Sequence, residues 1–251
     1  ALAALAAAAE WDESDTLPDE DDLPGWLRSA ASDGLEIVAD DPGEPTRAAS
    51  YSKPYLVHAS IAPSSALAEW TTDGSAVHAW SHSQGIGRLR SAMSDALGLE
   101  LDAVSLEHAE NAGCYGHNGA DDAAFDAVLL ARAVPGRPVL LRWSRSDELS
   151  WGPLSPAMTA TVSARLVDGR IDGWSYDVWS QGHASRPGYA GHPGLLATAH
   201  VAAGSPLPPA LDPPAPAFGG LRNALPLYDV GPRAVCGHVV TEAPVRTSAM
   251  R

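Results

Sequence analysis

The sequence predicts an α+β fold in which a mixed sheet is covered by crossover helices. Two observations carry this. Between Gly74 and Arg145, β-prone runs alternate with helical periodicities in the order β-α-β-loop-α-β, which favours a mixed or parallel sheet whose neighbours are joined by crossovers. Further on, "MTATVSARLV" and "RIDGWSYDVWS" are joined through Asp168-Gly169, the strongest short-range hairpin signal. A length of 251 residues suffices to bury a substantial core without staples.

The opening "ALAALAAAAE" has an apolar run of nine residues with no basic leader and no initial Met, so it reads as a helix tail cut from a longer protein, not as a signal peptide or membrane span. The far end, "APVRTSAMR", stops without a cap, which suggests a fragment at both ends. Residues 12–24, "DESDTLPDEDDLP", carry seven acids and two prolines and read as a solvated linker. The compact part is expected from about Tyr51 onward.

Gly74 to Gln84 is a strand around Val77 and Trp80, and "GIGRLRSAMSDALG" is an amphipathic helix, with Ile86, Leu89, Met93 and Leu97 at spacings of three and four. Asp102 to Glu110 is a strand, and Ala120 to Val134 a helix with Phe125, Val128 and Leu129 on one face. Arg137 to Arg145 is another strand, and the hairpin follows. Residues 186–220, rich in Pro, Gly and Ala, are expected to form a long surface excursion.

Composition narrows the function. With 31 acidic against 16 basic residues the formal charge is -15, which opposes a phosphate backbone and favours small ligands or protein partners over nucleic acid. Lys53 is the single lysine. Cys114 and Cys236 are too few for a disulfide framework; they could pair, but two separate reduced thiols is the simpler reading.

The most informative stretch is "NAGCYGHNGADD", where Gly113, Gly116 and Gly119 sit at spacing three between a strand and a helix. Glycine there permits positive φ and close approach of backbone to a ligand, and the first amides of the helix lack internal partners. The spacing is neither a dinucleotide fingerprint nor a phosphate loop. A turn that needs glycine for geometry alone, capped by Asn118 or Asp121, is the competing reading. Gln84 marks a second strand-to-helix junction, and two such junctions could converge on one sheet edge, where ligands bind in open α/β layers. Cys114, with His117 as its one candidate partner, is either a reactive thiol or a small residue in tight space. His78 and His82 are four apart with no carboxylate beside them in sequence, so no metal ligands are assigned. No GxSxG elbow is present.

Taken in order, "YSKPYLVHASIAPSSALAEW", "VHAWSHSQGIGRLRSAMSDALGL", "AGCYGHNGADDAAFDAVLLARAVPGRPVLLRWSRSDE" and "PVRTSAMR" resemble the molybdopterin-binding large subunit of the xanthine dehydrogenase and aldehyde oxidase family. The branch containing isoquinoline 1-oxidoreductase and nicotinate dehydrogenase is the most similar, because "GCYGHNGADD" stands where other branches carry GGGFGGK. The resemblance implies that residues 51–251 are the first part of a molybdopterin-binding domain, and that 1–50 are an acidic linker plus the tail of a preceding small α/β (hammerhead-like) domain.

It also implies an oxidoreductase that hydroxylates an N-heteroaromatic ring or an aldehyde with oxygen from water. The implied cofactor is molybdopterin in its cytosine dinucleotide form, and electrons would leave through iron-sulfur clusters on a partner subunit, joined in some members by a cytochrome. Gln84 matches the glutamine that bonds an oxo ligand of the metal; Gly113, Cys114, Tyr115 and Gly116 match the cofactor loop; Arg251 matches the arginine of the family's RG motif near the substrate. Gly119 falls where other branches place a substrate-orienting glutamate, leaving Asp121 or Asp122 to move into range. The family's general base lies beyond Arg251, so the chain alone does not hold the full active site. Cytoplasmic and periplasmic placement both fit this branch. A non-catalytic binding or assembly module of the same fold is the alternative, and a histidine-based zinc hydrolase has no motif to support it.

Overall fold

The computed structural model describes residues 7–10, 15–201 and 207–250. Its strands form two mixed sheets. β3 (Ser65–Trp70), β4 (Val77–Ser81), β5 (Val104–His108) and β6 (Val139–Arg142) make a four-stranded sheet in the order β5-β4-β3-β6. β4 and β5 run parallel, while β3 is antiparallel to β4 and β6. Because β4 and β5 are parallel neighbours, the chain between them must cross over, and helix α2 (Ile86–Leu97) does so.

α2 ends on Gly98 in the left-handed region (φ 66), a common helix stop. Helix α3 (Ala120–Arg132) leads from the glycine loop toward β6. Five of its buried residues are alanines, Ala120, Ala123, Ala124, Ala127 and Ala131, so its backbone can lie close to the sheet while Phe125 and Val128 fill the gap. Trp70 closes this core and donates its Nε1–H to the Val128 carbonyl at 2.8 Å, satisfying the indole's polar atom. The predicted mixed sheet with crossover helices is thus present, with strand and helix limits within a few residues of expectation.

The second sheet has five strands in the order β1-β9-β8-β7-β2. β7 (Met158–Val167) and β8 (Arg170–Gln181) form the hairpin expected at Asp168-Gly169, whose φ angles of 49 and 76 are those of a type I′ turn. β9 (Arg233–Val240) runs parallel to β8, and β1 (Ser32–Ala39) and β2 (Arg47–Lys53) close the two edges.

Four features depart from the sequence reading. The boundary expected between residues 50 and 51 falls inside β2, and β1 also joins this sheet. Both are exposed edge strands, so neither carries the apolar alternation that would mark it. The acidic stretch 12–24 does not end as a free linker: Glu20–Asp22 form a 3-10 turn, and Asp22 accepts from the Gly25 amide at 3.1 Å to cap helix α1 (Leu23–Ser29), whose Leu27 is fully buried. Its residues 12–14 lie outside the described residues, as does most of the opening alanine-rich run. The strand expected to reach Arg145 stops at Arg142, because Ser144 and Asp147 form a capping box that starts helix α4 (Arg145–Trp151). Finally, the excursion after β8 is not confined to the surface. Arg186, His192 and Leu195 are buried, Leu195 within the first core, and Leu221 and Ala224 pack on the five-stranded sheet.

Candidate functional site

The two strand-to-helix junctions do converge. The parallel register sets Ser81 opposite His108, so β4 and β5 end at the same edge of the four-stranded sheet. From that edge the chain runs through Gln84 into α2 on one side and through the glycine loop into α3 on the other. Gln84 Nε2 donates to Cys114 Sγ at 2.7 Å, joining the two directly.

The loop's shape follows from three residues with positive φ: Gly113 (93), Tyr115 (54) and Gly116 (113). A Cβ on Gly113 would come within 2.9 Å of the Tyr115 ring, so glycine is needed there both for conformation and for the ring that folds back over it. Asn111 Nδ2 donates to the Gly113 carbonyl at 2.6 Å and approaches His82 Nδ1 at 2.8 Å, anchoring the loop to β4. On its far side the loop is held by the C-terminal segment, since the His117 amide donates to the Ala249 carbonyl at 3.0 Å and Gly116 pairs with Met250 as an isolated bridge. The Gly116 N–H itself bonds to no acceptor among the described residues. Asn118, one of the two expected caps, accepts from the Ala120 amide at 3.1 Å, while Gly119 occupies the N-cap position.

Gln84, Cys114 and Gly116 all line one cavity of about 970 Å³, with His117 and Met250 beside them. Gly113 and Tyr115 are not part of its lining, and the Tyr115 ring folds over Gly113 instead. Arg251 lies outside the described residues. The far wall comes from the five-stranded sheet and the excursion, through Lys53, Tyr176 and His183 among others. Sequence reasoning does not single these out as site residues, although the one lysine of the chain is a signal. Lys53 Nζ donates to Ser155 Oγ at 2.6 Å, and burial lowers its pKa.

Neutral histidines face this space. Burial, with help from the Arg186 charge and then His58, depresses His117 to about 4, and burial lowers His183 as well. His117 Nδ1 lies 3.0 Å from Ser248 Oγ. His58 is equally structural, its two ring nitrogens lying 3.0 Å and 2.9 Å from the Pro153 and Ala249 carbonyls.

The two acids that open α3 are spent on structure. Asp121 pairs with Arg186 and accepts from Ser83 Oγ–H; Asp122 takes Arg246 through contacts of 3.0 and 2.7 Å and the Leu196 amide at 2.9 Å. Burial pushes the Asp121 carboxyl up, against the pull of Arg186. Neither is free to turn toward a ligand, which corrects the expectation that one would move into substrate range. His78 does have a carboxylate beside it, Glu107 at 3.0 Å across the parallel pair, a partner that separation in sequence concealed.

The sequence profile described as the molybdopterin cofactor-binding domain matches residues 46–203. A nicotinate dehydrogenase subunit from Pseudomonas putida is 38% identical over 128 residues, which is 51% of this chain and 10% of that protein. Among solved structures, quinoline 2-oxidoreductase from Pseudomonas putida 86 superposes with a TM-score of 0.64 at 14% identity, covering 99% of this chain and 28% of the other. The aldehyde oxidoreductase from Desulfovibrio gigas gives 0.59 at 19% identity, covering 88% and 22%. The chain therefore spans about a tenth of the curated relative and about a quarter of the solved ones.

Proposed function

The chain belongs to the molybdopterin cofactor-binding domain family, and from that premise we propose that it forms part of a molybdenum hydroxylase large subunit acting on an N-heteroaromatic or aldehyde substrate. The relationship to molybdopterin oxidoreductases is a family fact; the substrate, the partner that takes the electrons and the roles of single residues are this proposal. The observation that carries it is the joint position of the Gln84 amide and the Gly116 N–H on one cavity, at the edge where parallel β4 and β5 end.

These residues fit the cofactor. Two neutral donors on one cavity, one of them a backbone N–H left without an acceptor among the described residues, suit an oxo group. When bound, the molybdenum cofactor supplies two-electron oxidation with oxygen taken from water. Gln84 and Gly116 would hold it from this side, and Cys114 fixes the Gln84 side chain meanwhile through the 2.7 Å contact. His117, kept neutral by burial, adds no charge beside the site and orients the loop through Ser248. The fixed donors need not reorganise as charge shifts in the reaction. Arg251, which follows Met250 in the sequence, is assigned to the substrate side by resemblance alone. Electrons would leave through iron-sulfur clusters on a partner subunit, and a cytosine dinucleotide form of the pterin would be the matching cofactor.

The test is molybdenum and pterin content of the full-length subunit co-expressed with its iron-sulfur partner. Stoichiometric molybdenum that is lost when Gln84→Ala and Gly116→Val are combined, in a complex that still assembles, supports the assignment. A folded complex without molybdenum would leave a binding or assembly module of the same fold.

A further inference from the structure

We propose that Asp177, Cys236 and His238 form a binding site for a borderline-soft divalent cation of the zinc class, on the face of the five-stranded sheet turned away from the cofactor cavity. Side chains alternate along a strand, so Tyr176, which lines the cavity, and its neighbour Asp177 project from opposite faces of β8. The parallel register sets Asp177 opposite Cys236 and Trp179 opposite His238, which puts all four side chains on that second face.

The donor geometry is close to what a cation needs. A carboxylate oxygen, the Cys236 sulfur and a His238 ring nitrogen all lie within 4.8 Å of one another, and His238 Nε2 is 3.7 Å from Asp177 Oδ1. Donors sharing one tetrahedral zinc stand roughly 3.3–3.8 Å apart, given its bond lengths of about 2.0–2.3 Å. Small side-chain rotations close the remaining gap. The His238 ring is held by its stack on Trp179, with centroids 4.3 Å apart and planes 6° from parallel.

The chemistry of the set selects the ion. One thiol, one imidazole and one carboxylate suit zinc or cobalt, whereas calcium and magnesium prefer oxygen alone. Cys236 is a free, half-buried thiol. Glu36 faces it from β1, where the register slips between Glu36 and Val38, the kind of bulge that re-aims a side chain at a sheet edge. The neighbourhood is thus anionic: burial, then Asp177 and Glu36, raise the Cys236 pKa. A divalent cation reverses that balance. The S–H bond breaks, a metal–sulfur bond forms, and the proton passes to solvent with no change of oxidation state.

Cobalt(II) is the probe, added to the full-length, chelator-stripped protein. The expected result is a thiolate-to-cobalt charge-transfer band that saturates at one equivalent and is displaced by zinc. Cys236→Ala should abolish the band, Asp177→Asn and His238→Ala should weaken binding roughly tenfold or more, and Cys114→Ala should leave it unchanged. As a second measurement that avoids mutation, zinc should protect Cys236, but not Cys114, from alkylation of the native protein. Retention of metal without a thiolate band, a band that survives Cys236→Ala, or equal alkylation of Cys236 with and without zinc would each overturn the site. Molybdenum content has no part in these readouts, so the outcome is independent of the function proposed above.

Discussion

Arg186 Nε lies 3.2 Å from Asp121 Oδ2, and both side chains are only 7% exposed. This single pair ties three separate stretches together. Asp121 opens the helix after the glycine loop, Arg186 begins the excursion after β8, and both bond to the Ser83 hydroxyl beside Gln84. Ser83 in turn accepts from the Gly85 amide at 3.0 Å, so the junction that presents Gln84 is set by a charge pair and not by packing alone.

Breaking one partner of a buried pair leaves an uncompensated charge. Asp121→Asn should therefore cost about 3–5 kcal/mol, read as a shift of the urea midpoint. Combining it with Arg186→Met should recover most of that loss, because no charge is then stranded. Equal losses for the single and the double variant would mean that the pair is not what holds the junction.

The difference between what is legible in the sequence and what is not follows the reach of each interaction. Helix α2, helix α3 and the Asp168-Gly169 hairpin are local, and spacing along the chain announces them. The ends of β4 and β5 are also legible as junctions, since glycine and polar residues mark them. The edge strands are not, because β1 and β2 present one mostly exposed face after another and owe their place to β9 and β7. Arg186, 65 residues from Asp121 in the chain, lies in a segment without periodicity, so nothing local shows that it is buried. The Asp177, Cys236 and His238 cluster is hidden likewise, since β9 reaches β8 only after the long excursion.

Gly119 is constrained by space. Its φ of -73 suits any residue, yet a Cβ would run into the Trp143 ring. Gly119→Ala should cost about 1–3 kcal/mol through overpacking, with a change in Trp fluorescence at the site. The same contact explains why a glutamate does not fit here without moving Trp143. A neutral effect on the urea midpoint would show that the indole yields freely.

Gly169 is the opposite case. Nothing lies within 4 Å of the position its Cβ would take, so only its φ of 76 penalises a side chain. Gly169→Ala should cost about 1 kcal/mol, with the hairpin register retained. A loss well above that would point to a slipped register, which hydrogen exchange of the β7 and β8 amides would reveal.

Acid and base limbs of the stability profile should respond to different residues. Burial raises Asp126 to about 6 from 3.8, opposed by its bond from Trp143 Nε1 at 3.2 Å. A raised folded pKa contributes stability below the unfolded value that is lost as pH climbs through about 6. His117 works in the other direction. Its pKa falls from 6.5 to about 4, so its contribution is complete above 6.5 and disappears on acidification toward 4. His58, His82, His183 and His192 are lowered too, each chiefly by burial, and add to the same acid-side loss. Between about 4 and 6 the two slopes oppose each other in the native protein. Asp126→Asn keeps an acceptor for Trp143 and removes the ionisation. It should gain about 1 kcal/mol at pH near 8, solvent screening of a partly exposed group taking up the rest, and gain little below pH about 4. Its stability should also fall more steeply than that of the native chain as pH drops through this window, because the opposing term is gone. Urea midpoints measured across the window for both proteins decide it, and parallel profiles would show that Asp126 carries no buried charge.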